Sequence, residues 1–188
     1  MKVVIKRARG AFLKIWEPEQ FNGTGEPACN GSFILDPKTQ KAEVDKVIAA
    51  ITDVAKEKWK DRAQDVLKTL KAKGDICLQD GATKAQHDGF DGNVFISART
   101  KTRPTVLDKD KTPLTQADGK VYSGCFVDVS MDIWAQDNKF GKRINAKLLA
   151  IRFVDGGPAF SGGEGYSDAD FEDEPTAEGE SPAGDFFS

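Results

Sequence analysis

Apolar positions follow two rhythms along the chain. From Val44 to Leu70 they recur every three or four residues, through Val47, Ile48, Ile51, Ala55, Trp59, Ala63, Val66 and Leu67. That spacing is one face of a helix. Lysines and carboxylates fill the other faces, Thr39 is placed to cap the start, and Gly74 is placed to stop it. A helix over about residues 40–73 is long for a globular fold, so a break is expected near Lys60–Asp61. Trp59 falls on the apolar stripe and reads as core. Elsewhere the rhythm is two. ARGAFLKIW, CNGSFILD, NVFISARTKTR, YSGCFVDVSMDIW and RINAKLLAIRFV read as strands separated by Gly-rich loops. The third is open to extension through Val106–Leu107. AQDNKFGK, between the last two, reads as a hairpin turn with Phe140 near its tip. Five strands with one inserted helix predict a mainly β fold, a small five-stranded barrel of the OB type.

Alternation assigns faces to these strands. In the fourth, Cys125, Val127, Val129, Met131 and Ile133 form a core-facing set. Asp128, Ser130 and Asp132 point the other way, between Phe126 and Trp134, and such acids make a poor phosphate surface. The first strand sends Leu13 and Ile15 to one side and Phe12, Lys14 and Trp16 to the other. A row of aromatic, cation and aromatic suits a single-stranded nucleic acid. Rings stack on bases for about 1–3 kcal/mol each, and cations neutralise phosphates. In the competing reading Phe12 and Trp16 cover the helix, and both readings stand. The third strand carries Arg99, Lys101 and Arg103 at period two. The fifth carries Arg143, Asn145 and Lys147, with Lys139 and Lys142 in the preceding turn. Phe140 is apolar at a turn, where packing has no use for it. Tyr122 is either a further stacking ring or a strand-edge packing residue. Any one of these cations taken alone also reads as a solvated surface charge.

Charge sharpens the picture. The formal net charge of −3 is unevenly distributed. Residues 164–188 hold nine acids and no base, which leaves 21 acids against 27 bases in residues 1–163. A body of +6 thus carries a segment of −9. A basic body suggests a polyanion-binding surface, and the acidic segment is a competitor for it. The boundary falls near residue 160, at GGPAFSGGEGYS, whose Gly and Ser content reads as linker. Beyond it the sequence has few aliphatics and is expected to be disordered. The expected organisation is a binding domain over 1–160 and an acidic tail over 161–188.

No catalytic constellation emerges. The phosphate-binding G-x-x-x-x-G-K-[ST] loop and the G-x-G-x-x-G turn are both missing. His87, the single histidine, has no nucleophile that sequence pairs with it. Asp108 and Asp110 begin like a calcium loop, but Pro113 and Gly119 occupy the positions that need Gly and Glu. The loop acids Asp80, Asp88 and Asp91 leave a magnesium-dependent nuclease as an alternative reading. Cys29, Cys77 and Cys125 lie far apart without zinc-site spacing and read as reduced thiols. No metal and no cofactor is expected. MKVVIKRARG is not a signal peptide, and no run of 18 apolar residues exists, so a cytosolic protein is expected. An adaptor that binds protein through its acidic tail, without touching nucleic acid, is the other alternative.

The stretch GKVYSGCFVDVSMDIWAQDNKFGKRINAKLLAIRFVDGGPAFSGG, the opening RARGAFLKIWEP and the acidic, aromatic-ended tail resemble phage single-stranded-DNA-binding proteins. The resemblance covers the whole chain and is strongest over residues 119–163. It implies an OB-fold body without catalytic activity. It also implies coating of single-stranded DNA during phage replication and recombination, in the bacterial host cytoplasm. In such proteins the tail contacts replication partners such as the polymerase and occupies the DNA groove when DNA is absent. Here those roles fall on the acids from Glu164 to Asp185 and on Phe186 and Phe187. Ser188 follows the aromatic pair, a departure from the family's ending. Homodimerisation, site size and preference among single-stranded DNA, RNA and duplex stay open.

Overall fold

The structure is a computed structural model, and it describes residues 1–21 and 23–160. The predicted acidic segment, with Asp185, Phe186 and Phe187, lies outside the described residues. Seven strands are present: β1 (Lys2–Phe21), β2 (Thr24–Leu35), β3 (Leu78–Asp80), β4 (Val94–Thr100), β5 (Thr105–Leu107), β6 (Phe126–Asn138) and β7 (Gly141–Asp155). They form one sheet in the order β3-β4-β2-β1-β6-β7-β5, and a parallel β4–β7 contact closes five of them into a barrel. This is the predicted OB barrel. Between β2 and β4 the chain inserts α1 (Lys41–Trp59), a 3-10 turn (Lys60–Arg62) and α2 (Ala63–Lys73).

Closure depends on β1. Twenty residues of straight strand would run about 66 Å, far beyond a small barrel. The strand bends twice, at Arg7 and Phe12, each with φ of 50°. Register shifts mark both bends, between Ile5 and Ala8 against β6 and between Ala11 and Lys14 against β2. Such bulges let one strand serve two neighbours and turn the barrel corner. The helix start braces the first bend, with Gln40 Nε2 donating to the carbonyls of Lys6 (3.2 Å) and Arg7 (3.0 Å). The residue preceding α1 is therefore Gln40, and its side chain is spent on β1 instead of the helix; Thr39 is not the cap.

The barrel interior is largely apolar. Ile5, Ile15, Phe33, Leu35, Ile96, Val129, Met131, Ile133 and Ile151 are fully buried, joined by Val47, Ala55, Trp59 and Leu70 from the helices. Trp59 also donates Nε1–H to Asp137 (2.8 Å), tying the helix end to the β6–β7 hairpin. The stripe read from sequence holds except at Ile48, which is exposed, while Val54 and Ala50 are buried in its place. The helix breaks where expected, at Lys60, whose φ is 50°. Gly74 ends α2 in the left-handed conformation that glycine adopts without strain. The third strand does not run on to Leu107. It stops at Thr100, and Pro104, which has no N–H to donate, separates it from β5, which pairs in parallel with β7. The fourth strand starts at Phe126, four residues later than the alternation predicts, because Tyr122–Cys125 form a turn whose hydroxyl we describe below.

Candidate nucleic-acid interface

Residues paired directly across strands share a face, so the registers define what the outer side of β1, β2 and β4 presents. Three rows follow. Arg9, Ile34 and Phe95 form the first; Ala11, Ser32 and Ser97 the second; Lys14, Asn30 and Arg99 the third. Across the closing seam Arg99 pairs with Lys147 of β7. The middle row is small, with Ala11 and Ser32 buried at its floor. An apolar row lies on one side of that floor and a cationic row on the other.

Loop residues enlarge the apolar side. Phe90, which is 1% exposed, packs with Ala11, Ile34 and Phe95 in a cluster outside the barrel, with Phe160 against it. Phe12 lies over this cluster, its ring 5.7 Å from Phe90 and edge-on to His87 at 5.0 Å. It remains 42% exposed. Lys84 Nζ sits 4.7 to 5.5 Å from the rings of Phe12, Phe90 and Phe95, and burial holds its ammonium below the ordinary lysine value. The Arg9 guanidinium lies 4.1 Å over Phe160. Gly124 allows that last contact: its φ is 114°, and a Cβ there would fall 2.3 Å from the Pro158 carbonyl oxygen.

Irregularities in β1 separate residues that alternation grouped. Phe12 joins the outer cluster, whereas Trp16 is half-buried against the barrel core, with the Arg103 guanidinium 5.2 Å over its ring. The register shifts once between Ala11 and Lys14 and again between Lys14 and Glu19, so the alternation does not carry from Phe12 through Lys14 to Trp16. Phe12, Lys14 and Trp16 therefore do not form a single row. Lys14 stays on the cationic row and pairs with Glu19 at 2.8 Å.

The predicted β4 and β7 rows come together. Arg99, Lys101, Arg103, Arg143 and Lys147 are all exposed. Most already hold an acceptor. Arg99 donates to the Glu26 carbonyl (2.8 Å), Lys101 pairs with the Glu26 carboxylate, and Arg103 reaches the Leu114 carbonyl (3.4 Å). The hydrogen bond and charge of Lys101 hold the Glu26 carboxyl below its usual range, so it stays ionised. Arg143 pairs with Asp75 (2.8 Å) and Lys142 with Asp137 (2.6 Å). At the hairpin tip Phe140 is 78% exposed, with Lys139 Nζ 5.0 Å from its ring. Trp134, 43% exposed, pairs in register with Asn145 and stands beside the β7 row. Tyr122 is a structural pin: its hydroxyl donates to the Gly157 carbonyl (2.7 Å) and accepts from the Gly157 amide (3.0 Å).

The other side of the barrel is different in kind. Asp128 is buried, and burial pushes its carboxyl up. Hydrogen bonds from Arg152 and the Arg7 amide, with the charge of Lys6, outweigh that and hold it below the ordinary value. The cations nearest it are thereby neutralised, in keeping with the expectation that this face suits phosphate poorly.

Sequence reading missed Lys84, His87, Phe90, Arg9 and Phe160. The one available signal was Phe90, a lone aromatic in the otherwise polar loop QHDGFDG. Among the described residues no cluster of three metal-ligating side chains occurs.

Comparisons with known proteins fit this geometry. The model of the family described as the Enterobacter phage Enc34 single-stranded-DNA-binding protein matches residues 1–181. Protein p50 of Acyrthosiphon pisum secondary endosymbiont phage 1 is 36% identical over 182 residues, covering 96% of this chain and 97% of that one. Among solved structures, the single-stranded DNA-binding protein of bacteriophage Enc34 in complex with single-stranded DNA is similar at a TM-score of 0.70 and 26% identity, covering 82% of this chain and 86% of that one. Its C-terminal truncation is similar at a TM-score of 0.69 and 26% identity, over 85% and 88% of the two chains.

Proposed function

The chain belongs to the Enterobacter phage Enc34 single-stranded-DNA-binding protein family, and from that premise we propose that it coats single-stranded DNA without sequence preference during phage replication or recombination, with no chemistry of its own. The observation that carries the reading is the outer face of β1, β2 and β4, where a floor of small residues runs between an aromatic side and a cationic side. Bases stack on the exposed ring of Phe12, which the buried Phe90 supports; phosphates meet Lys14, Arg99, Lys147 and, toward the hairpin, Arg143. Stacking is indifferent to sequence because every base has a π-face. The carboxylates now paired with these cations do not block the path. Exposed ion pairs are worth about 0–1 kcal/mol, so a phosphate displaces Glu26 or Glu19 at little cost. The acidic segment 164–188 competes with DNA for the same cations and hooks replication proteins, the polymerase among them.

Fluorescence anisotropy of the full chain with labelled oligo-dT at two salt concentrations tests this. Binding should weaken steeply with salt, with a slope near −0.7 in log–log form for each phosphate neutralised. Binding that is absent, or insensitive to salt, rejects the reading. Deleting residues 164–188 should tighten binding at low salt; an unchanged affinity rejects the competitor role.

A further inference from the structure

Lys84 stands on the aromatic side of the small-residue floor, across from the cationic row. It ends a 3-10 turn (Gly81–Lys84) that is tied down along its length. The Gly81 amide donates to the Asn93 carbonyl (2.8 Å), the Ala82 amide to Asp80 Oδ1 (2.9 Å), and the His87 amide to the Lys84 carbonyl (2.9 Å). The side chain is half-buried. Its ammonium lies within 5.5 Å of the ring centres of Phe12, Phe90 and Phe95. Rings offer a cation their π-faces, but an ammonium also carries three N–H donors. Among the described residues those donors hold no carboxylate and no other hydrogen-bond acceptor. Lys14 and Lys101, on the cationic side, are each paired with a glutamate.

Position decides what those donors meet. Phe95 and Arg99 lie four residues apart on β4, roughly 13 Å along the strand. Phosphates held on the row of Lys14, Arg99 and Lys147 therefore run on the far side of the floor. A base stacked on Phe12 is another matter, because Lys84 Nζ is 5.3 Å from the centre of that ring. The base brings its edge, not its phosphate, to the ammonium. An ammonium donates and cannot accept, so it favours edges that accept. Thymine O4 and guanine O6 and N7 are acceptors; cytosine and adenine present an amino group, itself a donor, on the same edge. We infer that Lys84 reads the edge of the base stacked on Phe12 and biases the protein toward the keto bases, thymine and guanine, over the amino bases, cytosine and adenine. Lys84 is partly withdrawn from water, so a donor facing it there costs more than on an open surface. The inference rests on the DNA-binding reading above and deepens it: stacking and phosphate contacts hold any strand, and Lys84 superimposes a graded base preference.

Fluorescence anisotropy of the full chain with labelled oligo-dT and oligo-dC of equal length tests this, since the two pyrimidine strands differ at the edge in question. The wild type should bind oligo-dT more tightly by about three- to tenfold. Lys84→Met keeps an apolar stem against the rings and removes the donors. It should bring the two affinities to within about twofold, with the salt dependence unchanged. Lys84→Gln, whose amide both donates and accepts, should also shrink the ratio, and it decides the matter where Lys84→Met does not fold. An equal loss for both strands, with the salt slope smaller by about 0.7, overturns the proposal and makes Lys84 a phosphate contact. A ratio that neither variant changes also overturns it and leaves Lys84 a packing cation. Salt-sensitive binding of both strands without a Lys84-dependent difference sinks the base reading alone; no binding of either strand sinks the coating reading itself.

Discussion

Phe12 and Phe140 are both exposed rings with a lysine ammonium close by, at 5.3 Å for Lys84 and 5.0 Å for Lys139. Their foundations differ. Phe12 sits in a strand bulge with φ of 50°, a conformation that costs a non-glycine residue about 1–3 kcal/mol. Its ring is fixed against Phe90 and His87. Phe140 occupies a two-residue hairpin tip, held only through its backbone, whose amide donates to Asn138 Oδ1 at 3.0 Å. The first ring is preorganised, and the fold bears the strain of holding it there. The second is free to choose its partner. A preorganised ring loses little entropy when a base stacks on it, so on the proposed reading Phe12 contributes more to DNA binding than Phe140.

The comparison can be broken at its foundation first. Phe90→Ala removes a ring that is 1% exposed and should cost about 3–5 kcal/mol of stability in urea unfolding, with loss of oligo-dT affinity because Phe12 then has no support. A cost below about 1 kcal/mol would mean the loop over β1, β2 and β4 is not packed as described. Next comes the ring itself. Phe12→Ala should weaken oligo-dT binding by about 1–3 kcal/mol, several-fold to a hundredfold. Phe12→Gly should be the more stable of the two variants, since glycine enters positive φ without strain. If alanine is the better tolerated, the bulge is not strained at this residue. The smallest effect is expected at the tip. Phe140→Ala should leave unfolding free energy within about 0.5 kcal/mol of wild type and reduce oligo-dT affinity only a few-fold. A larger affinity loss than at Phe12 would reverse the ranking of the two rings.

Much of this was legible in the sequence. The stripe from Val44 to Leu70, the break near Lys60, the stop at Gly74 and the buried face from Cys125 to Ile133 follow from local periodicity, which needs no knowledge of partners. The cationic residues of β4 and β7 were also legible one strand at a time. What periodicity missed was where it was interrupted. The register shifts on either side of Lys14 set Phe12 and Trp16 against different surroundings, and no residue near them announces an irregularity. His87 and Lys84 sit in a loop with no period, so nothing local could place them beside Phe12.

The sequence by itself determined the composition of the surfaces: a basic body, an acidic segment, rings and cations on strands of known alternation, and the barrel that buries the rest. These depend on contacts between near neighbours and on which side chains avoid water. Only the tertiary structure decided which of those elements meet. The parallel closure that sets Arg99 beside Lys147 and the loop that puts Phe90 and Lys84 under Phe12 both join residues distant in the chain. Their juxtaposition is fixed by strand register and by two bends in β1, and register is a property of the paired sheet, not of any one strand.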